Sequence, residues 1–164
     1  MLPAVLVNWV AKDCDNWLSL DQPAAVEEPI LRFQRDCEGI DWPALIDLFK
    51  LADLGGREGD KVRRSFEKSD VVRFAFDGSK LVGAARALSD FEYHATIYDV
   101  TVHPDYQRRG IGTRIMNEVV SALPVWRILL VADNQVRPFY ERLGFESFGD
   151  VLARIDKLRL YDPT

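Results

Sequence analysis

Between residues 30 and 156 the chain switches between two hydrophobic periods, and their order sketches a fold. ILRFQRD (30–36) alternates at a period of two and reads as a strand. Asp41 is placed to cap a helix running to residue 51, with Trp42, Leu45, Ile46 and Phe49 on one face and Gly55-Gly56 as its stop. REGDKVRRSFEKS reads as a short second helix whose inner face holds only Val62 and Phe66. VVRFAF, then Asp77-Gly78, then KLVGAARAL carry a hairpin signal, and YHATIYDVTV is a fourth strand. A helix is expected over 110–123, with Ile111, Ile115, Met116, Val119, Val120 and Leu123 facing inward and Pro124 as its end. RILLVA (127–132) is a continuous apolar run of the buried-strand kind, VRPFYERLG a short helix stopped by Gly144, and FESFGDVLARID one or two last strands. The order is β-α-α-β-β-β-α-β-α-β, with an eleventh element if the last run splits.

Residues 1–29 do not join this pattern. They hold one basic residue, Lys12, against Asp13, Asp15, Asp21, Glu27 and Glu28, and DQPAAVEEP reads as a linker, so we treat 1–29 as an acidic extension and 30–164 as the domain. The apolar start, MLPAVLVNWVAK, lacks a basic stretch before it and is far short of the ~20 residues that cross a bilayer. A cytoplasmic protein with no membrane contact is expected. At 164 residues, 48% hydrophobic and 29% charged, the composition fits one globular domain. The net charge of −5 argues against nucleic acid as a partner and suits a cationic one. Cys14 and Cys37 lack a nearby His pair, so a reduced thiol pair is expected and no metal site.

Chemistry concentrates in VTVHPDYQRRGIGTRIM (100–116), a strand, a basic glycine-containing turn and a helix in succession. A helix N-terminus leaves unpaired N–H groups and a partial positive charge, which makes it an anion site. Gln107, Arg108, Arg109, Gly110, Ile111, Gly112 and Thr113 surround it, with glycines that let backbone approach a bulky anion. The nucleotide-binding Gly-Lys-Ser/Thr pattern is missing, and position 115, where a dinucleotide fingerprint needs glycine, is Ile115. On the glycines alone, a glycine-capped turn without a ligand fits equally well.

A second run, RPFYERLGF (137–145), follows after one strand. Q-x-x-G-x-G at 107–112 with F-Y-x-x-L-G-F at 139–145 resembles the GNAT superfamily of acetyl-CoA-dependent N-acyltransferases, over about residues 30–156. IYDVTVHPDYQ and ADNQVRPFYERLGF look like its bacterial and plant-type aralkylamine (serotonin) N-acetyltransferase branch. The chain departs from the pattern at Asp133, where many members carry Asn, and Asn134 follows it. The resemblance implies an α/β (α+β) fold, a mixed and mostly antiparallel sheet of six to seven strands with about four helices. It also implies that the pantetheine of acetyl-CoA lies along the fourth strand at 99–102, offered backbone groups by Val100, Thr101 and Val102, with the diphosphate on the 108–113 amides. Asn134 and Phe139 would complete the cofactor site.

By the same resemblance an amine attacks the thioester directly, and Tyr140 donates a proton to the departing thiolate. A phenol is a fair donor for that task, and a packed aromatic is its plainer reading. The base stays open between Asp133, Asp99 in the middle of an apolar strand, and His94; His103, before Pro104, reads as structural. Glu58, Asp90 and Glu92 could rim the acceptor site, and Trp42 and Phe49 could face an aromatic acceptor, although both sets also read as solvated loops and core. Arg63 and Arg64 read as a solvated face. The expected reaction is acetyl transfer to a small primary amine, an aralkylamine or polyamine. The alternatives are a protein lysine or N-terminus as acceptor, and a non-catalytic acyl-CoA-binding interaction domain. Superfamily members often dimerise, so a homodimer is possible.

Overall fold

The computed structural model describes residues 31–55 and 57–149. The acidic extension, Cys14 and the expected last strands beyond residue 149 lie outside the described residues. Ten elements follow in order: β1 (Leu31–Gln34), α1 (Trp42–Leu51), α2 (Gly59–Glu67), β2 (Val71–Asp77), β3 (Lys80–Ser89), β4 (His94–Val102), a 3-10 turn (Pro104–Tyr106), α3 (Ile111–Ser121), β5 (Arg127–Leu129) and α4 (Arg137–Glu141). The strands form one sheet in the order β1-β2-β3-β4-β5. The first four are antiparallel neighbours, and β5 runs parallel to β4. Six to seven strands were expected; five lie among the described residues, because 145–149 form no strand and the rest of that run is beyond them.

Local chemistry fixes the boundaries. The Asp41 side chain accepts from the Ala44 N–H at 3.1 Å and caps α1. Gly78 closes the β2–β3 hairpin at φ +56°, a left-handed conformation glycine adopts without strain. Helices then cover both faces of the sheet. On one face α1 and α2 bury Leu45, Leu48, Phe49, Val62 and Phe66 against Val72, Phe74, Phe76 and Leu81. On the other, α3 buries Ile111, Ile115, Met116 and Val119 against Ala75, Val82, Ala85 and Ile97. Six consecutive residues of β2 are buried, Arg73 among them, its guanidinium donating to the Val72 and Glu118 carbonyls at 2.6 and 3.2 Å. Gly83 in β3 lets α3 press close, since a Cβ there would stand 2.8 Å from Ile115 Cδ1.

Three expectations need correcting. Val120 is 37% exposed, so the inner stripe of α3 ends at Val119 and resumes at Leu123. RILLVA is not one buried strand. Only Arg127–Leu129 pair with β4, and all three are half-buried. The ladder stops at Thr96 and Leu129, while β4 continues to Val102. Trp42 and Phe49 belong to the aromatic core, where Phe66 packs on both with ring centroids 6.2 Å away.

Candidate functional site

The end of the β4–β5 ladder creates the site. Beyond Thr96 the edge of β4 that faces β5 has no strand partner among the described residues. The His103 N–H donates to the Val82 carbonyl at 2.8 Å, so alternation turns the backbone groups of Val102 toward the open side. The Gln107 side chain confirms this by donating to the Val102 carbonyl at 3.1 Å. Because β4, α3 and β5 form a parallel crossover, the N-terminus of α3 lies at the carboxyl end of β4, beside the same opening.

That N-terminus is bare. Gly110 is its N-cap at φ +80°, with no side-chain cap. The first intrahelical bond is Arg114 N–H to the Gly110 carbonyl at 2.9 Å, which leaves the amides of Ile111, Gly112 and Thr113 without an intrahelical acceptor. No acidic residue stands in the first turn. Arg108 is also left-handed, at φ +63°, a conformation that costs a non-glycine residue roughly 1–2 kcal/mol. Gly112 seats the helix against Phe139 Cζ and Val102 Cγ2, 3.4 and 3.5 Å from where its Cβ would be.

A cleft of about 710 Å³ opens over these groups. Of the residues singled out in the sequence, Val100, Thr101, Val102, Gln107, Arg108, Gly110, Gly112, Thr113, Phe139 and Tyr140 line it. Gln135, Val136, Pro138 and Arg142 line it too, and sequence reasoning missed them. Arg142 was findable: it lies two residues after Tyr140 on the same turn. With Arg108, Arg142 and, among the described residues, no carboxylate in its wall, the cleft is locally cationic in a chain of net charge −5. Its other wall is apolar. This is the complement of an elongated ligand with an anionic end and a slender, amide-bearing stem. The Thr101 hydroxyl is buried and has no hydrogen-bond partner among the described residues, a state that costs about 1–3 kcal/mol unless a ligand relieves it.

Tyr140 stands at the α4 side of the cleft, half-buried. Its ring meets Phe139 and Phe145 edge-on at 5.0 and 6.1 Å. No hydrogen bond to its hydroxyl is seen among the described residues. Burial raises its pKa above the ordinary phenol value, so it stays protonated through the neutral range.

Several residues singled out in the sequence do not line the cleft. The Ile111 side chain is core, at 1% exposure, so only its backbone can serve a ligand. Arg109 stacks on Tyr106 at 5.1 Å. Asp133 and Asn134 are exposed. The Asp133 carbonyl accepts from the Val136 and Arg137 N–H groups at 3.1 and 3.0 Å and so starts the turn into α4. Asp99 faces away from the cleft, with both carboxylate oxygens held by arginines. His94 is exposed and packs on Trp126 at 5.6 Å. His103 Nδ1 accepts from the Asp105 N–H at 3.2 Å, the structural role expected of it. Asp90 accepts from three backbone N–H groups and shapes its own loop.

Residues 32–145 match the model of the acetyltransferase (GNAT) family. The chain is 48% identical over 128 residues to GCN5-related N-acetyltransferase 2, chloroplastic, of Arabidopsis thaliana, covering 68% of this chain and 47% of that protein. It is 32% identical over 126 residues to serotonin N-acetyltransferase 2, chloroplastic, of Oryza sativa subsp. japonica, covering 73% and 63%. The chain thus spans less than two thirds of the length of either relative. Among solved structures, a putative acetyltransferase from Deinococcus radiodurans superposes with a TM-score of 0.68 at 26% identity, covering 76% of this chain and 87% of that one.

Proposed function

The chain belongs to the GNAT acetyltransferase family, and on that premise we propose that it transfers an acetyl group from acetyl-CoA to a small primary amine. One observation carries the reading. The bare amides of α3, the open edge of β4 and the Tyr140 phenol all face a single cleft. In this reading the Ile111, Gly112 and Thr113 amides, with Arg108, hold the diphosphate, each helix-end contact contributing about 0.3–1 kcal/mol and each charged hydrogen bond about 1.5–3. Val100 and Val102 offer their backbone to the pantetheine as a neighbouring strand would. Acetyl-CoA supplies the activated acyl group.

The residues then have defined tasks. The β4 edge fixes the acyl carbonyl so that a neutral amine can attack it. Tyr140, kept protonated by burial, donates its hydrogen bond toward the sulfur as negative charge collects there. The proton lost by the amine passes to solvent, with Asp133, which starts the turn into the Tyr140 helix, as the relay of this proposal. The name of the rice relative supports an aralkylamine, and the acidic balance of the chain favours a cationic acceptor over an anionic one.

Incubation with acetyl-CoA, an amine panel and a protein extract, read by mass spectrometry, tests the reading. Acetylated aralkylamine or polyamine is the expected product. Acetylated protein without acetylated metabolite would transfer the activity to lysine or N-terminal acceptors. Binding of acetyl-CoA with no product of either kind would favour a non-catalytic acyl-CoA-binding domain.

A further inference from the structure

A buried ion cluster lies on the face of β4 opposite the cleft. The Asp99 side chain is only 4% exposed. Its Oδ1 meets Arg57 Nη1 at 2.5 Å and its Oδ2 meets Arg86 Nε at 2.5 Å. Arg86 comes from β3, opposite Tyr98, and its guanidinium lies 4.8 Å from the Tyr98 ring. Arg57 comes from the connection between α1 and α2 and packs 5.4 Å from the Phe49 ring. One carboxylate therefore joins three elements.

The backbone at that point is bulged. Ala84 pairs with Thr101 and Arg86 with Tyr98, so the single residue Ala85 faces both Asp99 and Val100. Asp99 takes φ +55°, which a non-glycine residue adopts only where its surroundings hold it. The bulge sends Asp99 toward α1 and α2 while Val100 packs on the α3 side and lines the cleft. The opening past Thr96 is thus bordered by the cleft on one face and by the Arg57-bearing connection on the other.

We propose that Asp99 is a positioning residue: gripped by Arg57 and Arg86, it locks the β4 bulge and pins the α1–α2 connection beside the β4–β5 opening, where the acceptor amine enters. This rests on the acetyl-transfer reading. It also replaces the role of base for Asp99, since both of its oxygens are already engaged by guanidinium groups. The base of the reaction is left to Asp133 or water. Arg57, at 38% exposure, is the most exposed member of the cluster, and its loss leaves Asp99 still paired with Arg86.

The test compares Arg57→Gln and Arg57→Lys with the wild-type chain. Arg57→Gln is expected to lower kcat/KM for the amine by about tenfold or more, since small misplacements of reacting groups have effects of that size. Its acetyl-CoA affinity, measured by calorimetry, should stay within about twofold, and Arg57→Lys should recover part of the loss. Hydrogen exchange supplies a readout that needs no turnover. In Arg57→Gln the amides of 97–101 and of the α1–α2 connection should exchange faster, and those of α3 should not. Unchanged exchange overturns the clamp. Wild-type kcat/KM in Arg57→Gln, or a loss matched by an equal loss of acetyl-CoA affinity, overturns its positioning role. If the wild-type chain binds acetyl-CoA and acetylates no amine while exchange responds as stated, the acetyl-transfer reading fails and takes the acceptor-positioning half of the proposal with it, and the clamp stands.

Discussion

Tyr140→Phe removes one oxygen from the cleft and leaves nearly everything else in place. The edge-on contacts with Phe139 and Phe145 involve the ring, which is retained. The hydroxyl has no hydrogen-bond partner among the described residues, so the change in stability should stay within about 0.5 kcal/mol. The catalytic effect follows from relative acidities. A thiol titrates near 8.5 and an ordinary phenol near 10, as typical values, and burial raises Tyr140 further. Full proton transfer from the phenol to the thiolate is therefore uphill, and the phenol acts mainly by donating a hydrogen bond to charge that exists only in the transition state. Donors of that kind contribute roughly 10²–10³ in kcat. Steady-state assays should show a loss of that size with KM for acetyl-CoA nearly unchanged. The wild-type chain should lose acetyl transfer on the account of Tyr140 only above the ordinary phenol range, because burial keeps that hydroxyl protonated beyond it. Wild-type kcat in Tyr140→Phe, or a loss that tracks a fall in melting temperature, would refute the reasoning.

Other expectations concern the frame of the site. Gly110→Ala places its methyl in open space, so only the left-handed backbone is penalised; unfolding should become easier by about 1–2 kcal/mol, read by denaturant titration. Glu118 holds Arg35, Arg73 and Arg114 at 3.3, 3.3 and 3.4 Å, and Arg73 is 9% exposed. Glu118→Ala should therefore cost about 3 kcal/mol, because it strands a buried cation, whereas Arg35→Ala should cost no more than about 0.5. Three backbone N–H groups hold the Asp90 pKa below its ordinary value. Its stabilising contribution is then fully present above the unfolded value of about 3.9 and is lost as pH falls through the lower folded value. Asp90→Asn should flatten the acid limb of a melting-temperature profile, and an unchanged limb would remove that assignment.

What the sequence disclosed depended on the range of the interactions concerned. Asp41, Gly78 and Gly110 act on their own backbones, and the boundaries they imply are those observed, whereas α4 ends at Glu141, three positions before Gly144. The stripe of α3 records burial directly. RILLVA misled because apolar content reports burial and not pairing, and among the described residues only its first three find a ladder. Asp99 misled in another way. A carboxylate in an apolar strand requires a reason, and catalysis was one; the reason here is a pair of arginines 42 and 13 positions away in the chain, Arg57 and Arg86, which no local pattern links to it. Arg142 and Gln135 enter the cleft only because the segment after β5 returns to the start of α3, where Phe139 meets Gly112.

The central claim is that the α3 amides and Arg108 grip a diphosphate. Calorimetric titration with acetyl-CoA and with acetyl-pantetheine, which keeps the thioester and lacks the diphosphate, tests it directly. The account predicts one-to-one binding of acetyl-CoA and at least about a hundredfold weaker binding of acetyl-pantetheine, the equivalent of two or so charge-assisted hydrogen bonds. Equal affinities for the two, or no heat from acetyl-CoA, would contradict it.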